Sequence, residues 1–189
     1  SNPLKGDRKP GTVGLPLDDV QVIVVDEKNN ALPQGEIGNI QVKGPNVFKG
    51  YWQMPEKTKE DFTEEGFFNT GDKGLIDEDG YVCIVGRSKD MIISGGLNVY
   101  PKEIEALIDK IEGVLESAVV GISDADLGER VVAIIVHKEG SEIDASEVIS
   151  LIKEQLAGFK VPKEVKFIDQ LPRNAMGKVQ KNILRETFT

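Results

Sequence analysis

The chain has 189 residues, with 39% hydrophobic and 29% charged side chains, a balance typical of a globular protein with a substantial core. Its formal net charge of −9 argues against nonspecific binding to nucleic acid or to an anionic membrane. One cysteine and one histidine exclude a disulfide framework and a histidine cluster, and the lack of a long apolar run or signal peptide predicts a cytoplasmic protein without membrane insertion.

The first part of the chain is rich in strand and turn signals. Residues 20–26, VQVIVVD, and 37–44, IGNIQVKG, each predict a strand, because β-branched residues dominate or alternate with polar ones. Pro55 predicts the start of a short helical turn, and residues 74–86 predict a hairpin around an Asp-Gly turn.

Beyond residue 90 the pattern changes to alternating helices and strands, which predicts a small α/β sandwich. The helix at 101–111 is predicted from its apolar face, and the helix at 144–158 from an Asp-x-x-Glu capping box and a closing glycine. The elements predicted after residue 90 are a hairpin at 91–100, helices at 101–111, 144–158 and 180–188, and strands at 114–123, 130–138 and 164–169.

Two short motifs could bind a nucleotide. FFNTGD (67–72) places Asp72 after a predicted Thr-Gly turn, where a carboxylate can accept both hydroxyls of a ribose. An aspartate that caps its own turn is the more frequent arrangement. In GRSKD (86–90), Arg87 can hold phosphate or ribose oxygens, although a solvated surface arginine is more common. The motifs alone leave these alternatives open.

Two further motifs combine glycine with a polar side chain. In SGGLN, Gly95 and Gly96 let the backbone approach a ligand closely, or simply form a hairpin turn. AMGKVQ (175–180) is not a P-loop, because Pro172 stands where the first glycine is required and Val179 follows the lysine. The lysine of that motif either contacts a phosphate or is solvated.

Five blocks of sequence, in their order, resemble the C-terminal part of the acyl-adenylate-forming superfamily, which includes acyl-CoA synthetases, peptide-synthetase adenylation domains and beetle luciferases. The blocks are GEIGNIQVKGPNVFKGYW (35–52), FFNTGD (67–72), DGYVCIVGRSKDMIISGGLNVYPKEIE (79–105), GER (128–130) and LPRNAMGKVQKNIL (171–184). The resemblance implies an α+β fold. It comprises the β-rich end of the large adenylate-forming domain (1–86), a hinge (87–90) and a small mobile α/β C-terminal domain (91–189) with a sheet, packed helices and a hairpin.

The resemblance implies a role for each residue that matches a family motif. Lys178 corresponds to the catalytic lysine, which also contacts the nucleotide between the carboxylate and the α-phosphate. Asp72 is expected to bind the ATP ribose and Arg87 the ribose or phosphate, while Lys89 falls at the hinge. The hairpin that lines the CoA tunnel would contain Ser94, Gly95 and Gly96.

The family reaction has two halves: a carboxylate and MgATP give acyl-adenylate and pyrophosphate, and a thiol, usually of CoA, then releases AMP. Between the halves the C-terminal domain turns about the hinge, exchanging the lysine for the glycine hairpin. The family's phosphate-binding loop, its magnesium-binding glutamate and its acyl pocket are expected upstream. We therefore interpret the chain as a C-terminal portion that is inactive without the upstream part of the same enzyme, and we expect no metal ligand in it.

Several motifs, among them GGLNVYPKEIE, look closest to malonyl-CoA synthetases, so malonate is the expected acid. The alternatives are a medium- or long-chain fatty-acid–CoA ligase, an adenylation domain that loads a carrier protein, and a non-catalytic nucleotide-binding or docking module. A lysine on an open loop is also a target for a lysine acetyltransferase, which would remove the charge of Lys178.

Overall fold

The computed structural model describes residues 1–6, 8–141 and 143–189. These residues form two compact units, Ser1–Lys89 and Asp90–Thr189, each with its own sheet. Among the described residues, no helix has both the length and the apolar character needed to span a bilayer.

The first unit is built on an antiparallel sheet with the strand order β1-β2-β3-β4. Its core contains Val24, Ile40 and Val82, so the sheet buries apolar side chains from neighbouring strands. The elements are β1 (Gln21–Val25), β2 (Gly38–Lys43), α1 (Pro55–Asp61), β3 (Phe68–Ile76) and β4 (Val82–Arg87).

Strand β3 begins earlier than the sequence predicts, at Phe68 rather than at residue 74. The predicted Thr-Gly turn before Asp72 is therefore wrong, since these residues lie inside the strand. Asn39 of β2 pairs with Lys73, and Gln41 pairs with Asn69, so an advance of two residues along β2 corresponds to four residues along β3. Gly71 lies within this irregular stretch and has a φ of +73°. The glycine that indicates a turn in the sequence thus marks a β-bulge, where one strand carries extra residues.

The second unit is an α/β sandwich around β8, which pairs antiparallel with β7 and β5 and parallel with β9. Strand β6 completes the hairpin with β5 at the edge of the sheet. The elements are β5 (Ile92–Ser94), β6 (Leu97–Val99), α2 (Pro101–Ile108), β7 (Val114–Asp124), β8 (Gly128–His137), α3 (Ala145–Gln155), β9 (Glu164–Phe167) and α4 (Lys181–Phe188).

The two faces of this sheet are covered by different helices, because successive side chains of a strand point to opposite faces. One face packs against α2 and α3 through Ile104, Ile108, Val148 and Ile152. The other face packs against Leu171 and against Leu184 of α4. The predicted α+β fold is confirmed, and so is the apolar face predicted for the helix at 101–111.

Candidate functional site

Asp72 and Arg87 face each other across the β3–β4 pair. Arg87 Nε lies 2.9 Å from Asp72 Oδ1, and the side chains remain 53% and 21% exposed, respectively. The pair can therefore present its remaining donors and its second carboxylate oxygen to a ligand.

Thr70 fixes the backbone immediately before Asp72. Its hydroxyl donates to the carbonyl of Ile40 at 2.8 Å and accepts the N–H of Asp72 at 3.1 Å. The threonine therefore ties the bulge of β3 to β2. Thr70 belongs to the motif FFNTGD, but its role in joining β3 to β2 is visible only once the two strands are paired.

A small, mainly apolar pocket of about 260 Å³ adjoins Asp72 and is also lined by Thr70, Val82 and Ile84. Its volume lies below the roughly 300–1,000 Å³ of typical small-molecule sites. The first unit therefore presents one carboxylate and one guanidinium at an open surface rather than inside an enclosed site.

The loop that carries Lys178 is a closely bonded turn. Asn174 Oδ1 accepts the N–H groups of Met176 and Lys178, each at 3.0 Å, and the Asn174 N–H donates to the carbonyl of Lys178 at 2.9 Å. Gly177 has a φ of +76°, a left-handed conformation that glycine adopts without steric cost. The backbone of Lys178 is thus fixed while its side chain is exposed.

Arg173 attaches this loop to the sheet of the second unit. Its Nη1 donates to the carbonyl of Gly177 at 2.6 Å, and its Nη2 forms an ion pair with Glu116 on β7. Sequence reasoning missed both Arg173 and Asn174. The available signal was an asparagine three residues before a glycine, since asparagine side chains often close short turns.

The predicted glycine hairpin joins β5 to β6. Gly95 and Gly96 have φ values of +58° and +78°, as the tight turns that join two strands require. Ser94 is only 4% exposed, whereas both glycines are exposed. Of the three predicted CoA-binding residues, the two glycines therefore present the accessible backbone.

The block GER lies beside this hairpin. Ser94 pairs with Gly128, and the N–H of Ile93 donates to Glu129 Oε2 at 2.7 Å. The N–H of Gly95 donates to the carbonyl of Leu127 at 2.8 Å. The sequence identified GER as a motif without assigning it a role, and the structure shows that it contacts the hairpin.

Lys89 lies in a short 3₁₀ helix, Ser88–Asp90, and its side chain is exposed. It is the last residue of the first unit. Asp90, which follows it, is paired with Arg185 of α4 at 3.1 Å. Within residues 1–6, 8–141 and 143–189, no group of three or more histidine, cysteine, aspartate or glutamate side chains is placed to hold a metal ion.

Two family patterns match the chain. The pattern described as AMP-binding enzyme matches residues 1–52, and the pattern described as AMP-binding enzyme C-terminal domain matches residues 103–178. The two patterns therefore match different parts of the chain, one at its beginning and one in the second unit.

Relatives of known structure or activity match nearly the whole chain. The crystal structure of ATP-bound MatB from Rhodopseudomonas palustris is 59% identical, covers 99% of this chain and 37% of that protein, and has a TM-score of 0.93. A malonate–CoA ligase of Arabidopsis thaliana is 43% identical over all of this chain and 32% of that protein. A long-chain-fatty-acid–CoA ligase of Escherichia coli O6:H1 is 41% identical over 98% of this chain and 33% of that protein.

The chain spans about a third of the length of the relatives that it matches. Within that third, the matches cover both units, including the stretches that contain Asp72, the hairpin and Lys178. The fold, the two family patterns and these relatives agree, and the chain belongs to the family of AMP-binding enzymes.

Proposed function

We propose that this chain is the C-terminal portion of an AMP-forming acyl-CoA synthetase, which converts a carboxylate, ATP and CoA to acyl-CoA, AMP and pyrophosphate. The observation that carries the proposal is the arrangement of the second unit. One compact unit holds an exposed lysine on a fixed loop and an exposed glycine turn on a separate hairpin. Each element suits one half of that reaction.

In the first half, Asp72 binds the ribose hydroxyls of ATP and Arg87 contacts the ribose or phosphate oxygens. Lys178 is the catalytic residue, because its ammonium offsets the negative charge that gathers as the carboxylate approaches the α-phosphate. The backbone hydrogen bonds between Lys178 and Asn174 support this role, since they fix the point from which the lysine side chain extends.

In the second half, the domain turns about Lys89, so that Lys178 leaves and the hairpin of Ser94, Gly95 and Gly96 lines the path of CoA. The proposed parts are the end of the large domain (1–86), the hinge (87–90) and the mobile domain (91–189). The division into compact units between Lys89 and Asp90 supports a hinge in this position.

ATP is used with magnesium, and CoA is the second substrate. We assign no residue of this chain to the magnesium ion, because the described residues offer no suitable cluster of ligands. Magnesium would neutralise phosphate charge when bound, whereas this chain supplies the ribose contact, the lysine charge and the thiol path. The acyl pocket and the remaining ATP contacts belong to the upstream part of the enzyme.

Malonate is the proposed acid, which the malonate–CoA ligase relative supports. The complete enzyme should therefore release AMP with malonate, ATP, magnesium and CoA faster than with acetate, a medium-chain or a long-chain fatty acid. The measurement is the initial rate of AMP release for each acid at several concentrations. The matched controls omit CoA or the acid, and the chain on its own should release no AMP.

The outcomes test the identity of the acid separately from the assignment as an acyl-CoA synthetase. Preference for a long-chain acid would overturn malonate and favour the second candidate, a fatty-acid–CoA ligase, which the relative in Escherichia coli supports. Transfer of the acid to a carrier protein but not to CoA would favour an adenylation domain. Lack of AMP release with every acid would overturn the synthetase assignment and leave a nucleotide-binding or docking module.

The exposure of Lys178 also supports acetylation by a lysine acetyltransferase as a means of control. Acetylation removes the positive charge and should stop adenylate formation. Enzyme purified from cells in high- and low-activity states should differ in acetyl occupancy of Lys178 by mass spectrometry, and deacetylation should restore the rate. Changing activity with an unmodified Lys178 would contradict this control.

A further inference from the structure

The glycine hairpin is attached to the β7–β8 end of the sheet at two points. The N–H of Gly95 donates to the carbonyl of Leu127 at 2.8 Å, and the N–H of Ile93 donates to Glu129 Oε2 at 2.7 Å. The second bond uses a charged acceptor, and such bonds are roughly twice as strong as neutral ones.

The hairpin has few other attachments near its tip. In the described residues, the register of β5 with β8 consists of the single pair Ser94 and Gly128. Ile93 and Leu97, on the two strands beside the turn, are 50% and 48% exposed. The apolar anchors, Ile92 and Val99, are buried at the base of the hairpin, so polar bonds set the position of its tip.

The Glu129 carboxylate packs against the neighbouring strand β7. Gly121, on β7, lies beside the carboxylate, and a Cβ atom there would come within 2.6 Å of Glu129 Oε1. Asp124 Oδ1 accepts the N–H groups of Leu127 and Asp126, each at 3.0 Å, which lowers the pKa of Asp124 below its usual range. Asp124 thus orders the turn between β7 and β8, which carries Leu127, the second attachment point of the hairpin.

We infer that Glu129 is a positioning residue for the thioester step, acting through the backbone of Ile93 on the turn at Gly95 and Gly96. This inference rests on the proposed function, in which that turn lines the path of CoA. Among the described residues, the hydrogen bond of Glu129 joins it to Ile93 on the hairpin and not to the loop of Arg173 and Lys178, so we expect its contribution to be confined to the thioester step.

The test uses the complete enzyme with Glu129→Ala and Glu129→Gln. For Glu129→Ala, we expect the rate of thioester formation from supplied acyl-adenylate at low CoA to fall about ten-fold, as the loss of one charged hydrogen bond implies. The KM for CoA should rise, and adenylate formation without CoA should be unchanged. Glu129→Gln retains a neutral acceptor oxygen of similar reach and should recover part of the rate, because a neutral bond is weaker than a charged one.

Asp109→Ala is the matched control, because it removes a carboxylate of the same unit that accepts from Ser117 Oγ at 2.7 Å, away from the hairpin. It should leave both half-reactions unchanged.

The outcomes distinguish this inference from the proposed function. If the unmodified enzyme performs both half-reactions while Glu129→Ala affects neither, or affects both equally, the positioning role is overturned and the function stands. If the unmodified enzyme forms no thioester with CoA, the proposed function fails and the inference fails with it. A selective loss that glutamine rescues supports the inference.

Discussion

Replacing Lys178 with alanine should reduce adenylate formation in the complete enzyme by about 100-fold or more, the loss typical of removing one preorganised transition-state donor. The backbone at this position is fixed by Asn174 and Gly177, so the substitution removes the charge without releasing the loop. The measurement is pyrophosphate release without CoA, in a single turnover. Lys178→Arg should recover only part of the rate, because a planar guanidinium places its charge differently from an ammonium.

The same substitution should leave thioester formation from supplied acyl-adenylate nearly intact, because in the proposed mechanism the lysine has left the site in that step. Lys153→Ala is the matched control, since it removes an exposed lysine from α3 of the same unit. It should change neither half-reaction. If Lys178→Ala slowed both halves by the same factor, a role confined to adenylation would be excluded.

Lys89→Pro should have the opposite effect, with adenylate formation retained and thioester formation from supplied acyl-adenylate lost. Proline fixes φ near −65°, a value within the range of the 3₁₀ helix in which Lys89 lies. The substitution therefore suits the φ range of such a helix, and it should prevent the backbone rotation on which the second half depends in the proposed mechanism. We expect a fall of at least about 100-fold, because a rotation that needs another φ costs several kcal/mol with proline.

Lys89→Ala is the control for this experiment, since it removes the charged side chain but leaves the backbone free to rotate. It should retain both half-reactions. Thioester formation by Lys89→Pro at the rate of Lys89→Ala would show that this residue is not the pivot. Equal losses in both halves for Lys178→Ala and Lys89→Pro together would contradict the two-conformation mechanism.

Most of the secondary structure followed from local patterns. The helix predicted at 101–111 is observed as Pro101–Ile108, with Ile104 and Ile108 fully buried, because the 3.6-residue apolar period identifies the face that packs. The parallel pairing of β9 with β8 was not predictable, since strand partners depend on the whole fold. The early start of β3 was missed because Gly71 in a bulge has the same sequence appearance as a glycine in a turn.

The candidate site was only partly accessible to sequence reasoning. Motifs indicated Asp72, Arg87 and Lys178 directly, and the resemblance supplied their proposed roles. The supporting contacts join residues far apart in the chain: Glu129 accepts from a residue 36 positions away, and Arg173 pairs with Glu116 across 57 positions. Such contacts depend on which strands pair and on how the loops beside them fold, which the pattern of a single segment does not specify.

The ion pair between Asp90 and Arg185 connects the first residue of the second unit to its last helix, α4. Leu184, the neighbour of Arg185, is buried in the core, so the helix that binds Asp90 is itself packed against the sheet of the unit. If the proposed hinge lies at Lys89, a rotation there would therefore carry α4 and the core that it packs against together with Asp90, and Arg185→Ala would loosen this connection.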